Sequence, residues 1–178
     1  MQTETKPDIF EIMASTPEEA TELLWEELKK KRPDLQLIED IITYTLVNVN
    51  LQNEWGWAAL MRAADMGNEK VVELLLKHPG IDVNVQDNDG RTALMLAEGK
   101  TECIELLLNH PGIDVNVQNK WGYTALMFVA NRGKENPVEL LLNHPGIDVN
   151  VRDERGRTAW NFANNSIRQK FPKLNPNS

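Results

Sequence analysis

The sequence predicts an all-α solenoid, built from helix–loop–helix units joined by short β-hairpin turns. Three observations predict it. The block LLLNHPGIDVNVQNKWGYTALM, residues 106–127, recurs in most of its length: LLLKHPGIDVNVQ begins at Leu74, LLLNHPGIDVNV at Leu140, and GWAALM and GRTALM open at Gly56 and Gly90. Gly56, Gly90, Gly122 and Gly156 are spaced 34, 32 and 34 residues apart, and a period near 33 signals stacked units in place of one globular core. Within a unit the apolar period changes from two before the glycine to 3.6 after it, which reads as extended chain, tight reversal, then helices. A lone unit cannot cover its apolar face, so neighbours must stack.

Residues 1–15 read as a flexible N-terminal segment, with a short helical turn indicated by Asp8 and Glu11 around Ile9, Phe10, Ile12 and Met13. Thr16-Pro17-Glu18-Glu19 is a stronger start: an N-cap hydroxyl, proline at the first helical position and glutamate three residues after the cap. That helix is expected to reach Lys31, with Ala20, Leu23, Leu24, Glu27 and Leu28 on one face and Glu26–Lys30 and Glu27–Lys31 as i,i+4 pairs. Lys29-Lys30-Lys31-Arg32 then suits a solvated, negative helix end. Asp34 caps a second helix, from Leu35 to about Thr43, that buries Leu37, Ile38, Ile41 and Ile42. Residues 16–52 thus form a diverged first unit.

Units 53–86, 87–118 and 119–152 follow, each a hairpin, a helix, a loop and a second helix. In the first of them Ala58, Leu60, Met61, Ala63 and Ala64 form the first helix, Gly67 breaks it, and Val71, Val72, Leu75 and Leu76 face inward from the second. His78-Pro79-Gly80 ends that helix. Unit 87–118 is two residues short, because Ala97-Glu98-Gly99-Lys100 replaces the six residues 63–68, so its first helix or inter-helix loop must be tightened. Pro137 stands in the first turn of a second helix, where it is tolerated. Residues 153–170 supply one more first helix and then a polar end-cap marked by Asn164, Asn165 and Gln169; residues 171–178 read as a tail. The repeat domain therefore spans 16–170.

Net charge is −8, placed unevenly: residues 1–40 hold eleven Asp/Glu against five Lys/Arg, while the remainder is close to neutral. No basic nucleic-acid footprint is present. No apolar run reaches the roughly 18 residues a membrane helix requires, and the N-terminus lacks a secretory signal pattern. Cys103 is the single cysteine, which excludes an internal disulfide and is compatible with a reducing compartment.

The residues are similar to the ankyrin repeat, whose pattern opens Asp-x-x-Gly-x-Thr-Pro-Leu-His-x-Ala and later carries Leu-Leu and Asp-Val-Asn. Asp87, Gly90, Thr92, Leu94, Ala97, Leu106, Leu107, Asp114 and Asn116 stand in those places, and Asn119, Gly122, Thr124, Leu126, Leu141, Leu142, Asp148 and Asn150 repeat them. The resemblance covers about 35–170 and implies an ankyrin-repeat solenoid that binds partners through hairpin tips and the concave faces of the first helices. The family's histidine is replaced by Met61, Met95 and Met127, so packing must substitute for its hydrogen bonds. TALM-type repeats also resemble those of microbial and intracellular-pathogen ankyrin proteins.

Position in the repeat maps the implied surface onto Glu54, Trp55 and Trp57; Asn88, Asp89 and Arg91; Lys120, Trp121 and Tyr123; and Glu154, Arg155 and Arg157, with Asp65, Met66, Asn131 and Arg132 from the first helices. Trp, Tyr and Arg are enriched at binding hot spots, and three tryptophans and a tyrosine here stand where the repeat demands no apolar residue. The competing structural reading has the indoles lying flat on neighbouring hairpins. Trp25 and Trp160 lie in helices and are assigned to the core.

His78, His110 and His144 recur at one repeat position, so they should lie about 10 Å apart, the spacing of packed helices. Zinc ligands sit about 2 Å from the ion, so these histidines are read as helix-end residues. Cys103 takes the place of Val71 and is read as a small semi-buried apolar residue. No P-loop, Gly-x-Ser-x-Gly or His-Glu-x-x-His motif occurs, and Asp82, Asp114 and Asp148 are turn residues, so no catalytic site and no cofactor are expected. Asn84, Asn116 and Asn150 stand in a context resembling that of hydroxylated ankyrin asparagines; the structural alternative is that they fix the hairpin through backbone hydrogen bonds.

The expected function is a monomeric, non-enzymatic protein–protein interaction module, cytoplasmic, or delivered into a host cell if its source is an intracellular pathogen. A regulatory or inhibitory subunit that engages a basic partner through its acidic first unit is the alternative. A structural spacer is the third.

Overall fold

The computed structural model describes residue 12 and residues 16–44 and 46–175. The flexible segment expected over 1–15 and the helical turn expected around Asp8–Met13 lie outside these, apart from Ile12, which is helical and buried. Residues 176–178 of the expected tail lie outside them as well.

Helix α1, Pro17–Lys29, begins with the capping box its sequence spells: Thr16 Oγ1 accepts from the Glu19 N–H, and Glu19 Oε2 accepts from the Thr16 N–H. It stops two residues before the expected end. Lys30 leaves in an extended conformation, so the ion pairs become Lys29–Glu26 and Lys30–Glu27 at i,i+3. The cause is Glu27, a buried carboxylate whose Oε1 accepts the Asp34 N–H and ties the end of α1 to the start of the next helix. Helix α2, Leu35–Tyr44, is capped by Asp34 Oδ1 and buries Leu37, Ile38, Ile41 and Ile42.

Four further pairs follow: α3 (Ala59–Met66) with α4 (Glu69–Leu76), α5 (Ala93–Leu96) with α6 (Thr101–Leu108), α7 (Ala125–Arg132) with α8 (Glu135–Asn143), and α9 (Ala159–Phe162) with α10 (Asn165–Lys170). The odd-numbered helices pack in one row, and α2, α4, α6 and α8 in a second. No strand occurs among the described residues. Each hairpin is reduced to its turn, as where the Asn53 N–H donates to the Trp57 carbonyl and the Gly56 N–H to that of Asn53. The two-residue deletion falls on α5, a single turn where α3 and α7 have eight residues.

The core is continuous through the stack. Leu60–Met61, Leu94–Met95 and Leu126–Met127 are buried from the first helices, and Val71–Val72, Cys103–Ile104 and Val138 from the second. Burying one Leu, Ile or Met side chain stabilises by about 1.5–3 kcal/mol, so methionine packing fills the place of the missing histidine network. Cys103 is more deeply placed than expected: it is fully buried, and burial pushes its thiol pKa up to about 11.

Polar side chains stitch the units. Asn84 Nδ2 donates to the Gly112 carbonyl and its Oδ1 accepts from the Asp114 N–H; Asn50 and Asn116 make the same two bonds to their following units. The asparagines therefore fix the next repeat and not only their own turn. Gln86 and Gln118 run in parallel, each donating to its own glycine carbonyl and to the following unit.

The chain's end is more structured than a polar cap. Asn164 Oδ1 caps α10, Ile167 is fully buried, and a 3-10 turn, Pro172–Leu174, buries Leu174. One apolar residue in NSIRQK gave no helical period to read, which is why this second helix was not expected.

Candidate functional site: the hairpin tips and inner face

Each tip is built on one Asx residue. The Oδ1 atoms of Asn53, Asp87, Asn119 and Asp153 each accept two backbone N–H groups, two and four residues on. The second side-chain atom differs, and it sorts the tips into two alternating kinds. In the aspartate tips Oδ2 is an acceptor and holds an arginine: Arg91 Nε lies 2.8 Å from Asp87, and Arg157 Nε 2.8 Å from Asp153. In the asparagine tips it is a donor, and the same position carries Trp57 or Tyr123.

Successive tips are joined at fixed height. The Asn88 N–H donates to the Trp55 carbonyl, the Lys120 N–H to that of Asp89, and the Glu154 N–H to that of Trp121. This close approach explains the marker glycines. At Gly122 φ is +79°, and an added Cβ would lie 2.8 Å from the Asp153 Cα.

The residues singled out by sequence divide into exposed and occupied groups. Trp55 and Trp121 are 62% and 47% exposed and stand at equivalent positions two units apart. Lys120, Glu154 and Arg155 are exposed at their tips, as are Met66 and Asn131 on the helices. Tyr123 is packed instead: its ring meets Phe128 and Phe162 edge-on at 6.0 and 5.3 Å, and its hydroxyl accepts from Arg157 at 3.1 Å. Arg157 stacks 4.5 Å above Phe162 while paired to Asp153. Arg91 is held by Asp87 and Asp89, Arg132 by Glu98, and Asp65 lies 3.9 Å from Arg62. Burial pushes the Asp153 carboxyl up, but the hydrogen bonds and charge of Arg157 and the Arg155 N–H outweigh it and hold the pKa below the usual value.

Trp25 and Trp160, assigned to the core from sequence, are half-buried. Arg168 lies 5.3 Å above the Trp160 ring. Trp25 lines a cleft of about 610 Å³ with Lys29, Asn53, Trp55, Trp57, Arg62, Asn88, Asp89 and Arg91. A smaller cleft of about 250 Å³ lies two units on, between Tyr123, Met127, Phe128, Asn131 and Phe162. Trp25, Lys29, Asn53, Arg62, Met127, Phe128 and Phe162 are the lining residues outside the surface that repeat position maps. The i,i+4 spacing of Trp25 and Lys29 was the available signal, since it puts both on one edge of α1.

His78, His110 and His144 each accept the N–H of the glycine two residues on, through Nδ1, at 3.1, 3.2 and 3.2 Å. They close the turns after the second helices. Among the described residues no group of three or more His, Cys, Asp or Glu side chains is placed to hold a metal ion. No helix among them is long and apolar enough to cross a membrane.

The chain matches the family model described as "Ankyrin repeats (3 copies)" over residues 29–119 and 98–169. It is similar to an ankyrin repeat-containing protein of Treponema pallidum (strain Nichols), 46% identical over 52 residues, which are 29% of this chain and 17% of that protein. An ankyrin repeat protein of Acanthamoeba polyphaga mimivirus is 38% identical over 74 residues, 39% of this chain and 12% of its own length. One from Escherichia coli (strain K12) is 32% identical over 68 residues, 35% of this chain and 33% of its own length. The chain thus spans at most a third of these relatives. With the tips, stacked helix pairs and matched residues in agreement, the chain belongs to the ankyrin-repeat family, whose repeats are protein–protein interaction modules.

Proposed function

We propose that this chain is a monomeric, non-enzymatic module that binds a protein partner along its hairpin tips and inner face, with Trp55 and Trp121 as anchors. The supporting observation is the exposure of these two indoles on a row of tips locked by inter-repeat hydrogen bonds. A large aromatic side chain held on rigid backbone loses little entropy on binding and can bury a large apolar area. Lys120, Arg155 and Glu154 form the polar rim. Arg91, Arg132, Arg157 and Tyr123 act on the binding surface indirectly, by holding the tips in place, because their polar groups already have partners within the chain.

The test is affinity capture from source-cell lysate, comparing the wild type with a Trp55→Ala/Trp121→Ala variant whose fold is checked by circular dichroism. A protein retained by the wild type and lost by the variant supports the reading. Equal retention by both moves the interface off the tips, and the exposed Glu18, Glu19, Glu22 and Glu26 of α1 become the next surface to alter.

A further inference from the structure

We propose that this chain stacks head to tail on a second copy of itself, the last hairpin of one chain docking on the first hairpin of the next. The contact already exists inside the chain, because neighbouring hairpins are joined by a ladder of three recurring rungs. In the first rung an asparagine side chain donates to a carbonyl and accepts an N–H of the following unit, through Asn50, Asn84 and Asn116. In the second a glutamine Nε2 donates to the following unit, from Gln52, Gln86 and Gln118. In the third the carbonyl of Trp55, Asp89 or Trp121 accepts an N–H of the following tip. The two ends of the chain hold the two unused halves of this ladder. At the last hairpin Asn150 has a free side chain, Arg152 replaces the glutamine and bonds its own Gly156 carbonyl alone, and the Arg155 carbonyl accepts nothing among the described residues. At the first hairpin the receiving positions are the Leu46 carbonyl and Asn48 N–H, the Gln52 carbonyl and the Glu54 N–H. None of these four groups has a hydrogen-bond partner among the described residues.

Shape, apolar surface and charge match in the same sense as the hydrogen bonds. At Gly56, Gly90 and Gly122 the following unit comes within 2.5, 2.9 and 2.8 Å of an added Cβ, whereas at Gly156 nothing lies within 4 Å. The space that a following tip occupies elsewhere is therefore open. Leu46, at 85% the most exposed large apolar side chain among the described residues, stands on the receiving edge, and Leu51 on the same hairpin is 47% exposed. Val85, Val117 and Val151, which take the place of Leu51 in the later units, are only partly exposed and pack against the core. The net charges of the two ends are opposite. Residues 16–52 carry eight Asp/Glu against four Lys/Arg, and residues 150–175 carry six Lys/Arg against two Asp/Glu. Opposite charge of this kind steers two surfaces together and disfavours pairing of like ends. Buried Ile12 and Leu174 close the helix rows, so the contact is confined to the hairpins and is weak. Dilute chain is then the monomer of the proposed function. Because the two patches differ, the contact is heterologous and grows into an open chain of copies.

The test is sedimentation velocity of the purified full chain from about 1 µM to about 1 mM, a range that covers weak association. The expected result is a mean mass that rises with concentration past the dimer and falls again as salt is added. Asn150→Ala removes two rungs' worth of bonding at one end and should weaken assembly about tenfold. Leu46→Lys places a like charge against the basic end and should weaken it as much or more. Both side chains are exposed and Asn150 has no internal partner, so neither variant threatens the fold. An equimolar mixture of the two variants should recover association but stop at the dimer, since each chain then keeps one working end. Trp121→Ala, which lies at neither end, should assemble as wild type does, so the result is read separately from partner capture. Wild-type chain that stays monomeric at about 1 mM would overturn the proposal. So would growth that ends at a dimer, or assembly that both single variants leave unchanged.

Discussion

The guanidinium of Arg157 joins two repeats: it donates to Asp153 in its own tip and to the Tyr123 hydroxyl, 3.1 Å away, in the preceding one. Asp153 is the keystone of this arrangement, since its Oδ1 also closes the turn and its side chain is only 1% exposed. Because these contacts hold the carboxyl pKa below its unfolded value of about 3.9, their stabilisation is complete above that value. It is lost as pH falls through the lower, folded pKa. Asp153→Asn should therefore melt a few degrees below wild type at pH 6–7, about 3 °C for a domain of this size. That gap should close when both proteins are melted at progressively lower pH below 4. A gap that stays constant to pH 3 would show that the turn bonds, and not the ionised carboxylate, carry the effect.

Asn116 and Asn150 have the same sequence context and different roles. Asn116 makes two bonds to the following unit, whereas among the described residues no turn of the same kind follows Asn150 and its side chain is without a partner. Asn116→Ala should cost about 1–2 kcal/mol in denaturant unfolding, and Asn150→Ala less than about 0.5 kcal/mol. Equal costs would mean that the ladder between repeats contributes nothing.

The repeat period, the tip positions and every helix pair but the last were legible because each follows from spacing alone. Thr16 with Glu19, Gly67 and the His-Pro-Gly turns marked their elements for the same reason. What spacing could not show was which tip residues have internal partners. Tyr123 and Trp121 look alike as candidates, but a hydrogen bond from Arg157, 34 residues on, decides that one is packed while the other is exposed. Trp25 failed for a related reason. On a helical wheel it belongs with the apolar face, yet the first tip leaves a cleft beside α1 that no local pattern encodes. Spacing sets Glu27 on the apolar face of α1 and pairs it with Lys31, but it carries no sign of the chain reversal that brings the Asp34 N–H onto its carboxylate.

Gly122 and Gly156 share a left-handed backbone, with φ of +79° and +73°, but only Gly122 has a following unit against it. Alanine at Gly156 should cost about 1–2 kcal/mol, the price of that conformation alone. Alanine at Gly122 must also displace the Asp153 backbone and should cost more. The difference, measured by urea unfolding of the two variants, isolates the contact between repeats; a difference of zero would refute close approach as the reason for the glycine.

Cys103 is fully buried with its thiol pKa raised to about 11, so at pH 8 it is a poor nucleophile as well as an inaccessible one. A disulfide reagent should label the native chain only through unfolding, with a rate that rises in step with urea. Cys103→Val, which copies Val71 in the preceding repeat, should retain stability within about 1.5 kcal/mol. Rapid labelling without denaturant would place the thiol at the surface and contradict the packing of α6.

The tip reading and the acidic-helix reading diverge in their response to salt. Glu18, Glu19, Glu22 and Glu26 are exposed along α1, and attraction between them and a basic partner would be screened as the Debye length falls from about 10 Å at 0.1 M to about 3 Å at 1 M. Burial of the Trp55 and Trp121 indoles is not screened in this way, because its driving force is removal of apolar surface from water. Once a partner is in hand, its affinity should change less than about threefold between 0.1 and 0.5 M salt and fall by about tenfold or more in Trp55→Ala/Trp121→Ala. Surface plasmon resonance across that salt series provides both numbers. A steep salt dependence combined with an unaffected tryptophan variant would transfer the interface to α1.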